Sequence, residues 1–166
     1  MLSPIVAKDI GRQHYILLKQ KTCKIVEVHH AKTGKHGSMK VALVGLNVFT
    51  GDKVTYACPG HQMLYQVALE KKNYQIVDAV CHKDSGEDSG EDSGELLVFA
   101  DDNSILTFRM PQQVPKAVWL HILEMMQTNP DTDYFISILK AIEGETTEVE
   151  GVAHDTRVTL AKRNAI

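Results

Sequence analysis

Aromatic residues are scarce in this 166-residue sequence, at 6% with a single Trp, and it has only five Pro. It has three Cys, Cys23, Cys58 and Cys81, an odd number at unrelated spacings. That pattern argues against a disulfide framework and for free thiols in a reducing compartment, the cytoplasm by default. No apolar run approaches the roughly 20 residues that span a bilayer. The stretch from Met1 to Asp9 lacks the long apolar core of a secretory signal. A cytoplasmic chain with no membrane partner is therefore expected. Catalytic signatures are missing too. Ser, His and acidic residues occur, but without a nucleophile elbow or a histidine-carboxylate spacing. Gly34-Lys35 lacks the earlier Gly and the following Ser or Thr of a phosphate-binding loop. The expectation is a protein that is not an enzyme.

Eight His invite a metal reading. Cys58-x-x-His61 is half of a zinc site, and His29, His30 and His36 lie close in sequence. A structural zinc needs four ligands, commonly as two close pairs. Exposed loop histidines are the expected account, and no metal is expected.

The net charge of −3 conceals an asymmetry. Residues 1–83 carry a net +7 and residues 84–166 a net −10. Only the first half suits a polyanion, so a nucleic-acid contact would belong there.

Short β-branched runs separated by turn residues recur along the first half. Tyr15 to Leu18 reads as a strand, followed by a polar turn at Lys19-Gln20-Lys21. Cys23 to Val28 and Lys40 to Phe49 read as a central hairpin. Thr50-Gly51-Asp52 is a second turn, with Gly51 at positive φ. Lys53 to Ala57 is a further strand, which Cys58-Pro59-Gly60 breaks. Turns every eight to twelve residues indicate a small β-barrel or sandwich.

The hairpin's connection is Lys32-Thr33-Gly34-Lys35-His36-Gly37, with Lys40 just beyond. Gly34 and Gly37 bracket Lys35 and put its amine at the tip. Three lysines and a histidine on one loop repel each other, which stability alone would not favour. This string resembles the modification loop of the translation factor 5A family. So do the upstream Cys23-Lys24-Ile25-Val26-Glu27-Val28 and the downstream Val41 to Gly51, which ends Asn47-Val48-Phe49-Thr50-Gly51. The likeness is close over about residues 10 to 60 and faint but collinear to about residue 150. It implies a mostly β fold with an SH3-like barrel over residues 1–69.

Glu70-Lys71-Lys72-Asn73 reads as a charged connection between domains. Strands are expected at Tyr74 to Val80, Leu96 to Ala100 and Ile105 to Arg109. Pro115 then opens a helix with Val114, Val118, Ile122 and Met126 on one face. Tyr134 to Ile142 and Thr146 to Val152 read as the last strands. Three strands, a helix and two strands is the order of an OB-fold, expected over residues 70–153. The resemblance implies the same domain. Residues 154–166 are expected to form a frayed tail.

Asp84 to Glu95 is three copies of Asp-Ser-Gly-Glu with no apolar residue. It cannot bury surface and should be mobile. A repeat expansion in a tolerant loop is the simplest account. Phosphorylation at Ser85, Ser89 or Ser93 by an acid-directed kinase is the functional one, and Asp-Ser-Gly-Glu-Asp-Ser resembles a phosphodegron.

The resemblance also assigns chemistry. Lys35 corresponds to the lysine that deoxyhypusine synthase extends with an aminobutyl group from spermidine and deoxyhypusine hydroxylase completes as hypusine. The implied partners are these two enzymes, the ribosome and peptidyl-tRNA, with a weak homodimer in addition and no cofactor. The modified arm would approach the peptidyl-tRNA end and promote peptide bond formation and termination on stalled ribosomes. Lys32, Thr33, Gly34, His36, Gly37 and Lys40 would frame it, with Lys32, His36 and Lys40 as phosphate contacts. The chain departs from the family pattern at His29-His30-Ala31, at Ser38-Met39 and at Gly60-His61-Gln62-Met63. An unmodified RNA-binding module built on the same two domains is the rival reading. A homologue regulated through the serine-acid repeat is a third.

Overall fold

The computed structural model describes residues 2–32, 39–82 and 93–162. The chain divides into two compact units. One is Met1–Glu70 with Lys140–Val149, and the other is Lys71–Leu139 with Glu150–Ile166. The expected division near residue 70 therefore omits a segment that returns to the first unit.

The first unit contains β1 (Leu2–Val6), β2 (Tyr15–Leu18), β3 (Lys21–Lys32), β4 (Met39–Asn47), β5 (Lys53–Pro59) and β6 (Met63–Val67). They are hydrogen-bonded in the order β1-β6-β2-β3-β4-β5, every neighbouring pair antiparallel. Period-two alternation sends one set of side chains inward. Ile16 and Leu18 of β2, Cys23 and Ile25 of β3, and Val41 and Leu43 of β4 meet in one core with Ala7, Ile10, Cys58 and Leu64. Each buried Ile, Leu or Val contributes about 1.5–3 kcal/mol. The polar turn expected after Leu18 is the two-residue link Lys19-Gln20, with φ of 48° and 68°. Positive φ at both positions matches the right-handed twist of the flanking strands. Gly51 sits at φ 79°, as its place in the second turn requires. Asn47 supports that turn, its side-chain oxygen accepting from the Phe49 N–H at 2.9 Å.

The second unit contains most of β7 (Glu70–His82), then β8 (Ser93–Phe99), β9 (Ile105–Met110), α1 (Lys116–Thr128), the first part of β10 (Thr132–Glu143), the end of β11 (Thr147–Gly151), and β12 (Thr159–Lys162). Strands β10, β7, β8 and β9 lie side by side in that order, and β11 and β12 pair with β10. Pro115 caps α1 from an extended conformation, and Val118, Trp119 and Ile122 turn into the core. There they meet Leu96, Val98, Phe108, Met110 and Ile136. The Tyr134 hydroxyl donates to the Met125 carbonyl at 2.7 Å, tying β10 to the end of the helix.

Several expectations are corrected. Glu70-Lys71-Lys72-Asn73 is the start of β7 rather than a connection, and β5 continues through Cys58 to Pro59. Strands β1 and β6 have no counterpart in the sequence reading. The third repeat copy is not wholly mobile: Ser93, Gly94 and Glu95 belong to β8, opposite His82, Cys81 and Val80. The stretch after His154 is not simply frayed. Val158 is buried, and β12 pairs with β10 from Phe135↔Thr159 to Thr132↔Lys162.

The returning segment is fixed by a buried two-way bond. The Thr22 hydroxyl donates to the Ile142 carbonyl at 2.7 Å and accepts from the Ile142 N–H at 3.2 Å. The Gly144 N–H reaches the Gln20 carbonyl at 2.8 Å, and Lys21 Nζ lies 3.1 Å from Glu143. Replacing Thr22 with Val keeps the shape and strands both backbone groups. A loss of about 2 kcal/mol or more is expected by urea unfolding, with Thr22→Ser retaining most of the stability. In the second unit, a Cβ at Gly94 would stand 2.4 Å from Trp119 Cζ2 and 2.9 Å from the Val80 carbonyl. Gly94→Ala is expected to cost about 1–3 kcal/mol through overpacking, read the same way.

Candidate functional site

The β3–β4 hairpin is paired from Cys23↔Asn47 to Lys32↔Met39, with a bulge between Ile25 and Glu27. The extra residue shifts the alternation by one and bends the strand. Beyond it the two strands differ. On β4, Val41 and Leu43 remain fully buried, while His29 to Lys32 of β3 are all exposed. Strand β5 covers the other edge of β4, from Lys40↔Pro59 to Leu46↔Lys53. Core packing and two neighbouring strands thus hold β4 up to its first residue.

Lys32 and Lys40 stand at the same end of the hairpin, both exposed. The register sets Lys32 opposite Met39 and Lys40 opposite Ala31, so alternation puts the two lysines on opposite faces. They flank the connection rather than form one patch. Thr33, Gly34, Lys35, His36 and Gly37 lie outside the described residues. Met39, one of the departures from the family pattern, has a structural role. Its carbonyl accepts from the Gly60 N–H at 2.7 Å, and its methyl lies where a Cβ on residue 60 would be 3.4 Å away. The Gly60 carbonyl in turn accepts from the Lys8 N–H at 3.0 Å. Sequence reasoning took Gly60 as a strand breaker and as part of a departure from the family pattern; its packing against the start of β4 depends on a partner far along the chain.

His29 Nε2 lies 3.3 Å from Glu27 Oε2 on the exposed face. His30 and His61 are exposed, whereas His14 is half-buried and accepts from the Gly11 N–H at 2.9 Å through Nδ1. Cys58 is buried and His61 exposed, which separates the half-site C-x-x-H. Among the described residues no three His, Cys, Asp or Glu side chains group to hold a metal ion. Burial pushes the Cys58 thiol up and the Cys23 thiol up to about 11, so both stay protonated at neutral pH. Of the repeat serines, Ser85 and Ser89 lie outside the described residues. Ser93 is exposed, its hydroxyl donating to the His82 carbonyl at 3.3 Å.

The geometry defines a class: a mostly β protein of two compact units, whose first unit presents an exposed basic hairpin. Residues 2–62 match the family model described as translation initiation factor 5A-like, N-terminal. Eukaryotic translation initiation factor 5A of Spodoptera exigua is 36% identical over 75 residues, 45% of this chain and 47% of that one. Factor 5A-1 of Saccharomyces cerevisiae is 32% identical over 75 residues, 45% and 48% of the two chains. Translation initiation factor 5A of Sulfurisphaera tokodaii is 38% identical over 69 residues, 42% and 53%. The chain spans about half the length of these relatives. Among solved structures, a family protein from Naegleria fowleri superposes with a TM-score of 0.65 at 24% identity, covering 92% of this chain and 97% of that one. The factor from Methanococcus jannaschii gives 0.56 at 13% identity, covering 92% and 94%. Both show the fold, and with it the expected SH3-like and OB architecture. The N-terminal part of the chain is thus similar to that of the translation initiation factor 5A family. The relatives it matches are named as translation initiation factors. No helix among the described residues is long and apolar enough to cross a membrane.

Thiol reactivity follows from the burial pattern. Alkylation of the native protein at pH 8 is expected to label exposed Cys81 rapidly, with Cys23 and Cys58 labelled only after denaturation, as read by peptide mass. Equal labelling of all three under native conditions contradicts the placement.

Proposed function

We propose that this chain is a ribosome-binding translation factor that acts in the cytoplasm through a modified Lys35. The observation that carries the reading is the hairpin. Its two strands are in register to Lys32↔Met39, and only the six residues 33–38, with Lys35 between two glycines, connect them. A modifying enzyme needs a narrow element to admit, and a glycine-flanked connection on a braced hairpin suits that need. The match over residues 2–62 includes this connection and supports the same reading.

An aminobutyl group moved from spermidine to the Lys35 amine, with release of 1,3-diaminopropane, and then hydroxylated with dioxygen as oxidant, gives hypusine. The product lengthens the side chain and adds a second cationic nitrogen on a flexible stem. Such an arm can lie along RNA phosphates near the end of peptidyl-tRNA. Lys32 and Lys40, on opposite faces, would grip backbone on either side of it. The ribosome carries the reaction, and the arm acts by positioning. Deoxyhypusine synthase and deoxyhypusine hydroxylase are the partners this requires. Phosphorylation of the serine-acid repeat, and a weak homodimer, are compatible with this activity and separate from it.

Lys35→Arg is expected to abolish modification and complementation of cells depleted of a factor 5A relative. Stability should stay within about 0.5 kcal/mol of the parent, since a charged residue in a connection between strands contributes little. The mass of the Lys35 peptide from native cells reads the first effect directly. Full complementation by the variant, or a bare Lys35 where both enzymes are active, overturns the proposal in favour of an unmodified RNA-binding module.

A further inference from the structure

The outward face of β3, β4 and β5 carries cations at its far end that the hairpin connection does not explain. Lys24 pairs with Leu46, and Leu46 pairs with Lys53, so two lysines flank one leucine on the same face. Two ladder steps of about 4.8 Å set their Cα atoms about 10 Å apart. Tyr15 of β2 pairs with Lys24 and extends the row. Lys24 and Lys53 are exposed, and Tyr15 and Leu46 half-buried.

The same face continues toward the connection through Val44, Ala42 and Ala57 to Lys40, opposite Ala31 and Pro59. Leu46 lies six positions from Lys40, about 20 Å along the strand. The one acid on these three strands is Glu27, and it lies against His29. Among the described residues no ion pair engages Lys24, Lys53 or Lys40. Lysines set close on one sheet face repel each other and bring no stability to the sheet. On β4 and β5 the side chains between the two ends are small, and on β3 the same stretch of this face carries the Glu27–His29 pair, opposite Val44 and Ala42.

We propose that the row Tyr15–Lys24–Leu46–Lys53 is a second contact for an RNA backbone, continuous with the hairpin end. The inference rests on the reading of the hairpin as RNA-facing. Two exposed cations about 10 Å apart suit the phosphates of one strand, and the Tyr15 ring beside Lys24 offers a surface for a sugar or base. A membrane surface would ask for protruding apolar side chains, where this face has alanines.

The test uses the full chain with Lys24→Gln, Lys53→Gln and the double variant. Binding of a single-stranded oligouridylate is measured over a salt series. Each lost phosphate contact lowers the log–log salt slope by about 0.7, so the double variant should fall by about 1.4 and each single by half of that. Lys116→Gln, in the second unit, should leave the slope unchanged. An unchanged slope in the double variant overturns the proposal. So does lost binding to vesicles of anionic phospholipid with RNA binding intact, which assigns the row to a membrane surface. The Lys35 peptide mass is read on every variant. A modified Lys35 with an unchanged slope overturns this inference alone. A bare Lys35 with a reduced slope overturns the Lys35 function and leaves the row standing.

Discussion

The first unit depends on a bond between residues 120 positions apart. Thr22 and Ile142 are both buried, and Ile142 brings a backbone N–H and carbonyl into a place without water. Left alone, each group would cost about 1–3 kcal/mol. The Thr22 hydroxyl satisfies both, one as donor and the other as acceptor. Around it the Lys21–Glu143 pair and the Gly144–Gln20 bond fasten the same short segment. Closing so long a loop is an entropic expense. The buried polar groups make the closed arrangement the one in which every donor is used. The base of β3 is thereby fixed, and the hairpin springs from a braced root.

At the other end of that hairpin, geometry divides the charge. A loop rich in lysine looks like a single patch when read along the chain. Strand alternation instead sends Lys32 to one face and Lys40 to the other. The bulge after Ile25 decides which residues of β3 turn outward, and it sets Glu27 opposite Val44 and His29 opposite Ala42, on the face that Lys24 and Lys40 share. The first half's excess of positive charge is therefore distributed over a face and an end.

In the second unit the constraint is steric. Gly94 lies against the indole of Trp119, which is nearly fully buried, and no side chain would fit there. The glycine of the third Asp-Ser-Gly-Glu copy is thus a packing residue, and β8 takes over where the repeat ends. His82 and Glu95 approach to 3.7 Å on neighbouring strands at this point.

The hairpin, its turn at Gly51, the helix after Pro115 and the mostly β character were legible in the sequence, because each rests on local chemistry. Alternating apolar residues, glycine at positive φ and the four-residue spacing of Val114, Val118 and Ile122 need no distant partner. The resemblance around Lys35 was legible for the same reason, as a contiguous string. Other features had no local signal. The return of residues 140–149 to the first unit, the pairing of β12 with β10, and the strand that absorbs Glu70 to Asn73 depend on partners far along the chain. The separation of Lys32 from Lys40 and the alignment of Lys24 with Lys53 depend on register, which hydrogen bonding between strands decides. Sequence alone determined the central hairpin, the turn at Gly51 and the helix after Pro115, because each rests on neighbours in the chain. Tertiary structure decided which strands would be neighbours, because burial and backbone pairing are satisfied only across the whole fold.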